Sequence, residues 1–172
     1  MPVPPVAASS EPDHVWHSIR AAAAREARDE PVLASFLHAT ILNHDRLEAA
    51  LSFHLAQKLG NPAAPALLVR EVIEQAFASD PSIGHAIRCD LRAVQQRDSA
   101  CPDHAVAFLF FKGFHALESY RVAHWLWCAG RRALAGAGSG RTYGRGAAGC
   151  ARLLRNRGGG PTRARRPLRA RS

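Results

Sequence analysis

An all-α fold is what this chain of 172 residues predicts. Helix start and stop signals follow one another at short intervals from Asp13 onward, and apolar residues recur three and four apart within the segments they bound. No segment shows the strict apolar-polar alternation of a half-buried strand. About 120 helical residues are enough for one modest core, so a single domain is expected.

The elements follow in order. Asp13 is placed to cap a helix whose apolar positions include Val15, Trp16, Ile19 and Ala23. Pro31 falls in the first turn of the next helix, where a missing N–H is tolerated, and Leu33, Phe36, Leu37, Thr40 and Ile41 then mark one face. Asp45 and Glu48 have the spacing of a capping box ahead of Leu47, Leu51, Leu55 and Leu59, and Gly60 is expected to supply a left-handed stop. Pro65 and Pro81 read as further first-turn prolines, with Asp80 as the cap before Pro81. The short connections predict that successive helices pack as antiparallel neighbours. The last helical stretch, His104 to Ala135, contains Gly113, which costs about 1 kcal/mol in a helix interior and marks a kink or short turn.

Charge divides the chain. All 14 acidic residues lie at or before Glu118, whereas ten of the 23 Lys and Arg residues, every one an arginine, fall in the last 37 positions. The formal net charge of +9 therefore belongs to the tail. In that tail Gly, Ala, Arg and Pro make up 27 of 37 residues, and only Leu153, Leu154, Leu168 and Tyr143 could anchor a core. This is too little apolar surface to offset the ordering entropy. The expected organisation is a disordered N-terminus over 1–12, a helical domain over 13–135 and a disordered basic tail over 136–172. A GC-rich gene read in a shifted frame gives such a composition, and a frameshifted replacement is the expected origin of the tail. Arginine and glycine together also suit an RNA backbone, the rival reading, yet the tail has no RGG triplet and one aromatic, Tyr143, for base stacking.

The N-terminus has no cationic patch before an apolar run, and no stretch reaches the roughly 18 apolar residues of a membrane span, so a cytoplasmic chain without a membrane partner is expected. Cys89, Cys101, Cys128 and Cys150 show no CxxC, which argues against a disulfide framework or a zinc site. His115 and His124, nine apart, fall on different helical faces. His14 and His17 have i, i+3 spacing but no carboxylate or thiolate clustered with them, so no metal ligand set is expected. Trp125 and Trp127 face different directions, one toward the core and one toward a partner. Lys112 and Arg121 read as solvated stems over apolar surface. No glycine-rich loop follows a strand, which excludes a phosphate cradle of the nucleotide-binding kind.

The stretch from Asp90 to Arg132 carries an ordered series: Arg97-Asp98-Ser99-Ala100, then Lys112-Gly113-Phe114-His115-Ala116, then Arg121, His124, Leu126-Trp127 and Gly130-Arg131-Arg132. This series resembles the end of the helical N-terminal domain of serine O-acetyltransferases, and the resemblance extends back to about Val15. It implies the transfer of an acetyl group from acetyl-CoA to L-serine, the entry step of cysteine synthesis. In the family the base is a His oriented by an Asp, both in a left-handed parallel β-helix that has no counterpart in this chain. The resemblance thus implies a truncated, inactive enzyme with no catalytic residue and no cofactor held by the chain itself, acetyl-CoA being the family's co-substrate. Asp98 matches the aspartate that lines the family's serine and cysteine pocket, although Ser99 replaces the proline that follows. From residue chemistry alone Asp98 terminates a helix ending at Gln96. The implied partners are further copies of the chain or a full-length serine O-acetyltransferase, since the family uses this domain to join trimers.

Overall fold

The computed structural model describes residues 13–139. The helices are α1 (His14–Asp29), α2 (Pro31–Leu37) running on into a π-helical turn (His38–Leu42), α3 (Leu47–Leu59), α4 (Ala66–Ser79), α5 (Pro81–Arg97), α6 (His104–Phe110), α7 (Lys112–Cys128) and α8 (Arg132–Ser139). Among the described residues there is no strand, only an isolated bridge between Asn61 and Ala64 in the α3–α4 connection. The all-α expectation is borne out. Residues 1–12 and 140–172 lie outside the described residues, and α8 carries the helix to Ser139, four residues into the span 136–172 expected as disordered tail.

Helix α1 packs on α2 and α6, α3 on α4, α4 on α5 and α7, α5 on α6 and α7, and α7 on α8. Ile19 of α1, Ile41 of the π-helical turn, Leu47, Leu51 and Leu55 of α3, Ile87 and Leu91 of α5 and Phe108 of α6 meet in the middle with no exposed surface. These are largely the residues whose spacing marked the apolar faces. Trp16 joins them, and its indole donates to the Asp45 carbonyl at 2.9 Å, so the largest α1 side chain buries its polar atom with a partner. In the π-helical turn the Asn43 amide reaches the His38 carbonyl at 3.0 Å, and the His44 carbonyl accepts from the Arg20 guanidinium.

Local caps account for several boundaries. Asp13 accepts from the Trp16 amide at 3.1 Å, and Asp80 accepts from the Ser82 amide at 3.0 Å, as their positions predict. Asp103 caps α6 through the Val106 amide at 3.0 Å. Three expected boundaries differ. The capping box does not form: α3 starts from Arg46 with no side-chain cap, and Glu48 points to Arg88 instead. A charge-assisted bond outweighs a backbone N–H as partner for that carboxylate. Gly60 ends α3 with φ −59° and ψ 139°, outside the left-handed region, and the left-handed stop is Gly130 after α7, with φ 76°. Pro65 stands one position before α4 rather than in its first turn.

Arg88 ties three helices together. Its Nη2 donates to Asp13 at 2.6 Å, its Nη1 to Glu48 at 2.6 Å, and Nη1 also to the Gly84 carbonyl at 2.7 Å, so the cap of α1, the first turn of α3 and the middle of α5 share one guanidinium. A Cβ at position 84 would meet Glu48 Oε1 at 2.7 Å, so a larger residue there would push that carboxylate aside from Arg88. Burial alone would raise the Asp13 carboxyl; the hydrogen bonds from Arg88 and the Trp16 amide, with the Arg88 charge, overcome this and hold it below the usual carboxylate range. All three side chains are about three-quarters buried. Arg88→Met keeps the apolar stem but strands two carboxylates, and is expected to cost about 1–3 kcal/mol, less than a fully buried pair would. Thermal unfolding should show the midpoint falling by several degrees, and adding Glu48→Gln should recover part of the loss.

Candidate functional site

The expected break near Gly113 lies two residues earlier. Phe111 adopts φ −78° and ψ 103°, ends α6 and caps α7, while Gly113 sits uncrowded within the first turn of α7. The break deprives the Phe108 and Leu109 carbonyls of helical partners in the protein interior. Two buried histidines supply the missing donors: His115 Nε2 donates to Phe108 O at 2.7 Å, and His54 Nε2 of α3 donates to Leu109 O at 3.1 Å. Their rings meet edge to face at 5.1 Å. Burial first, then the neighbouring His115, depresses the His54 imidazole to about 4 against the opposing pull of the Leu109 carbonyl, and burial likewise lowers His115. Both rings are therefore neutral donors at pH 7, fully used inside the core.

One turn further along α7, Glu118 is fully buried, and neither of its oxygens has a hydrogen-bond partner of standard geometry. Arg121, on the same helix, holds Asp90 of α5 and lies 3.3 Å from Glu118 Oε2 through its Nε. Burial pushes the Glu118 carboxyl up to about 9; the Arg121 charge opposes this and the Asp90 carboxylate adds to it. One guanidinium thus faces two acids and neutralises one of them, while the other keeps its proton. Arg121 is not the solvated stem expected from sequence, because Asp90 holds it half-buried against α5; Lys112 is exposed as expected.

Asp98 follows Arg97, the last residue of α5, so the helix ends one residue later than Gln96. Its Oδ1 accepts from the Ala100 amide at 2.9 Å, and its carbonyl accepts from the Cys101 amide at 3.0 Å. The residue is exposed, and its other carboxylate oxygen has no partner among the described residues. Cys101 anchors the turn below it: the thiol donates to the Asp103 carbonyl at 3.2 Å, and burial pushes its ionisation up, away from nucleophilic use. The broad groove lined by Asp13, Glu48, Arg88, Arg92 and His104 does not include Asp98.

The structure brings few of the remaining candidates together. His14 and His17 are both exposed, and among the described residues no group of three or more His, Cys, Asp or Glu side chains could hold a metal ion. Trp125 packs partly against the core, and Trp127 is 57% exposed beneath the Arg132 guanidinium, as the two-apart spacing predicts. Sequence reasoning passed over His54 and Arg88, whose partners lie 40 to 75 residues away, and Glu118, whose burial depends on α5 packing against α7. It also passed over the i, i+4 pairs of His85 with Cys89 and His124 with Cys128, a signal present in the spacing itself.

Known proteins share this arrangement. The sequence pattern described as serine acetyltransferase, N-terminal, matches residues 15–119. The serine acetyltransferase of Escherichia coli K12 is 51% identical over 121 residues, which is 70% of this chain and 44% of that protein. Serine acetyltransferase 4 of Arabidopsis thaliana is 47% identical over 127 residues, 74% of this chain and 36% of its own length. The crystal structure of the Neisseria gonorrhoeae serine acetyltransferase in complex with serine superposes with a TM-score of 0.74 at 40% identity, covering 77% of this chain and 55% of that one. That of the Vibrio cholerae O1 enzyme gives 0.71 at 53% identity, covering 73% and 48%. The chain belongs to the serine acetyltransferase family. Its match spans less than half the length of these curated relatives.

Stability should record both buried groups. The Glu118 carboxyl ionises at about 9 in the folded chain against an ordinary 4.5, so its contribution is complete below pH 4.5 and is lost as pH rises toward 9. Glu118→Gln, which cannot ionise, is expected to stabilise the domain at pH 7 by on the order of 3 kcal/mol and to flatten the alkaline limb. His54 has the opposite sign: its contribution is present above 6.5 and lost as pH falls through about 4. Denaturant unfolding from pH 4 to 9 checks both, and an unchanged alkaline limb in Glu118→Gln contradicts the assignment.

Proposed function

We propose that residues 13–135 are the assembly domain of a cytoplasmic serine O-acetyltransferase, and that Asp98 is their contribution to the pocket for serine and for cysteine. The observation that carries this reading is the match to the N-terminal region of the family, within which Asp98 stands exposed at the end of α5. An exposed carboxylate on a turn held by the buried Cys101 can pair with the amino group of an amino acid without first breaking a protein contact. Absence of a membrane role is consistent with helices none of which, among the described residues, is long and apolar enough to cross a bilayer.

Proton removal from the serine hydroxyl needs a base within hydrogen-bond reach of that oxygen. Among the described residues, His54 and His115 are occupied in the core and Asp98 bonds to no imidazole. By resemblance to the family, the domain binds and assembles while the family's β-helix performs the transfer, and on this reading the chain by itself is inactive. Its assembly surface is the outer face of α2. Val32 is 88% exposed, Phe36 41% and Leu33 38%, a cluster of the kind that marks interfaces. The apolar run from Ala105 to Phe111 is largely spent on the core, with Phe108 and Leu109 buried and Phe110 exposed.

Thiol release from acetyl-CoA should show no L-serine-dependent rate above background; clear turnover lost on Asp98→Ala would overturn the inactive assignment. Sedimentation over a wide concentration range, alone and with a full-length serine O-acetyltransferase, should show weak association that Phe36→Glu removes. A strict monomer in both settings would leave the domain without an assembly role.

A further inference from the structure

Helices α5 and α7, which pack together through Arg121 and Asp90, each present a histidine followed four residues later by a cysteine. His85 Nε2 lies 3.5 Å from Cys89 Sγ, and His124 Nε2 lies 3.7 Å from Cys128 Sγ. All four residues are exposed, and neither cysteine is in a disulfide. A tetrahedral zinc ion with Zn–N near 2.1 Å and Zn–S near 2.3 Å sets its nitrogen and sulfur ligands about 3.6 Å apart. Both pairs hold this separation already. The i, i+4 spacing keeps each donor pair on one helical face, so a metal would bind without reorganising the backbone.

We propose that His85 with Cys89, and His124 with Cys128, form two bidentate sites for a divalent cation of the zinc class. One imidazole and one thiolate are a borderline-soft donor set, which favours zinc, cobalt and nickel over magnesium or calcium. At each site the thiol gives up its proton to water, and the metal exchanges two of its bound waters for one nitrogen and one sulfur bond. No third protein donor converges on either pair among the described residues, so water completes the coordination. The sites differ in preorganisation. Tyr120 stacks on His124 at 6.0 Å and 19°, which holds that imidazole in place, and the α7 site is the tighter one.

Cobalt(II) is the probe, titrated anaerobically into the reduced 172-residue chain. A thiolate-to-cobalt charge-transfer band should grow to two equivalents per chain, and excess zinc should bleach it. Cys89→Ser and Cys128→Ser should each remove one equivalent, and the double variant both. His85→Ala and His124→Ala should weaken their own site by about tenfold or more, at least the loss expected on removing even an outer-shell partner. Circular dichroism confirms that these surface variants keep the helical fold. The absence of a band, meaning a plain thiol-imidazole hydrogen bond, overturns the proposal. So does a band that persists in Cys89→Ser/Cys128→Ser, which would belong to Cys101 or Cys150.

Discussion

The break between α6 and α7 governs this structure, because ending one helix and starting another inside the core leaves carbonyls where water cannot reach. An unpaired buried carbonyl costs on the order of 1–3 kcal/mol, so the turn at Phe111 persists only with donors beside it. His54 from α3 and His115 from α7 are those donors. By bonding to α6 they fix where α7 leaves it, and with that the positions of Glu118, Arg121, His124 and the left-handed stop at Gly130. Imidazole suits the task because its neutral form presents an N–H at the end of a flat ring that also packs; His54 lies nearly parallel to Phe108, 19° between planes.

Two arginines show how burial decides the outcome of the same chemistry. Arg88 and Arg121 each face two carboxyl groups. Around Arg88 the side chains keep about a quarter of their surface in water, and both acids accept hydrogen bonds from the guanidinium. Around Arg121 one acid, Glu118, has no solvent contact, and the cost of a second buried charge exceeds what the guanidinium returns, so the proton stays. Arg88 joins elements as an ionic clamp. Arg121 closes the α5–α7 seam with a mixture of ion pair and neutral acid.

Most of the fold could be read from the sequence because it rests on local signals. Asp13, Asp80 and Pro81 act within three residues of themselves, and the leucines of α3 mark their own face. The same locality misled at Glu48, which has capping-box spacing but finds Arg88 forty residues on, and at Gly60, where an extended backbone ends the helix as well as a left-handed one would. Glu118 was invisible for a related reason: a glutamate between Leu117 and Ser119 reads as a solvated helix position until α5 closes over it. Of the candidate site, Asp98 was reached through resemblance alone, since its own geometry is that of any residue ending a helix with a side-chain turn. The His–Cys pairs were legible in spacing but went unread, because the cysteines were compared with one another rather than with the histidine a turn before each.

Two of the buried titratable groups, His54 of α3 and Glu118 of α7, also set what the chain exchanges with its solvent on folding. Between about pH 4.5 and 6.5 an unfolded chain carries a protonated His54 and an ionised Glu118, whereas the folded one carries the reverse. Folding thus hands a proton from an imidazole to a carboxyl through the water, with no net uptake or release by this pair. In that range the folding enthalpy contributed by these two residues is blind to the ionisation heat of the buffer. Above it, near pH 8, His54 is already neutral in both states, and Glu118 must draw its proton from the buffer, which then enters the heat of folding as a reactant.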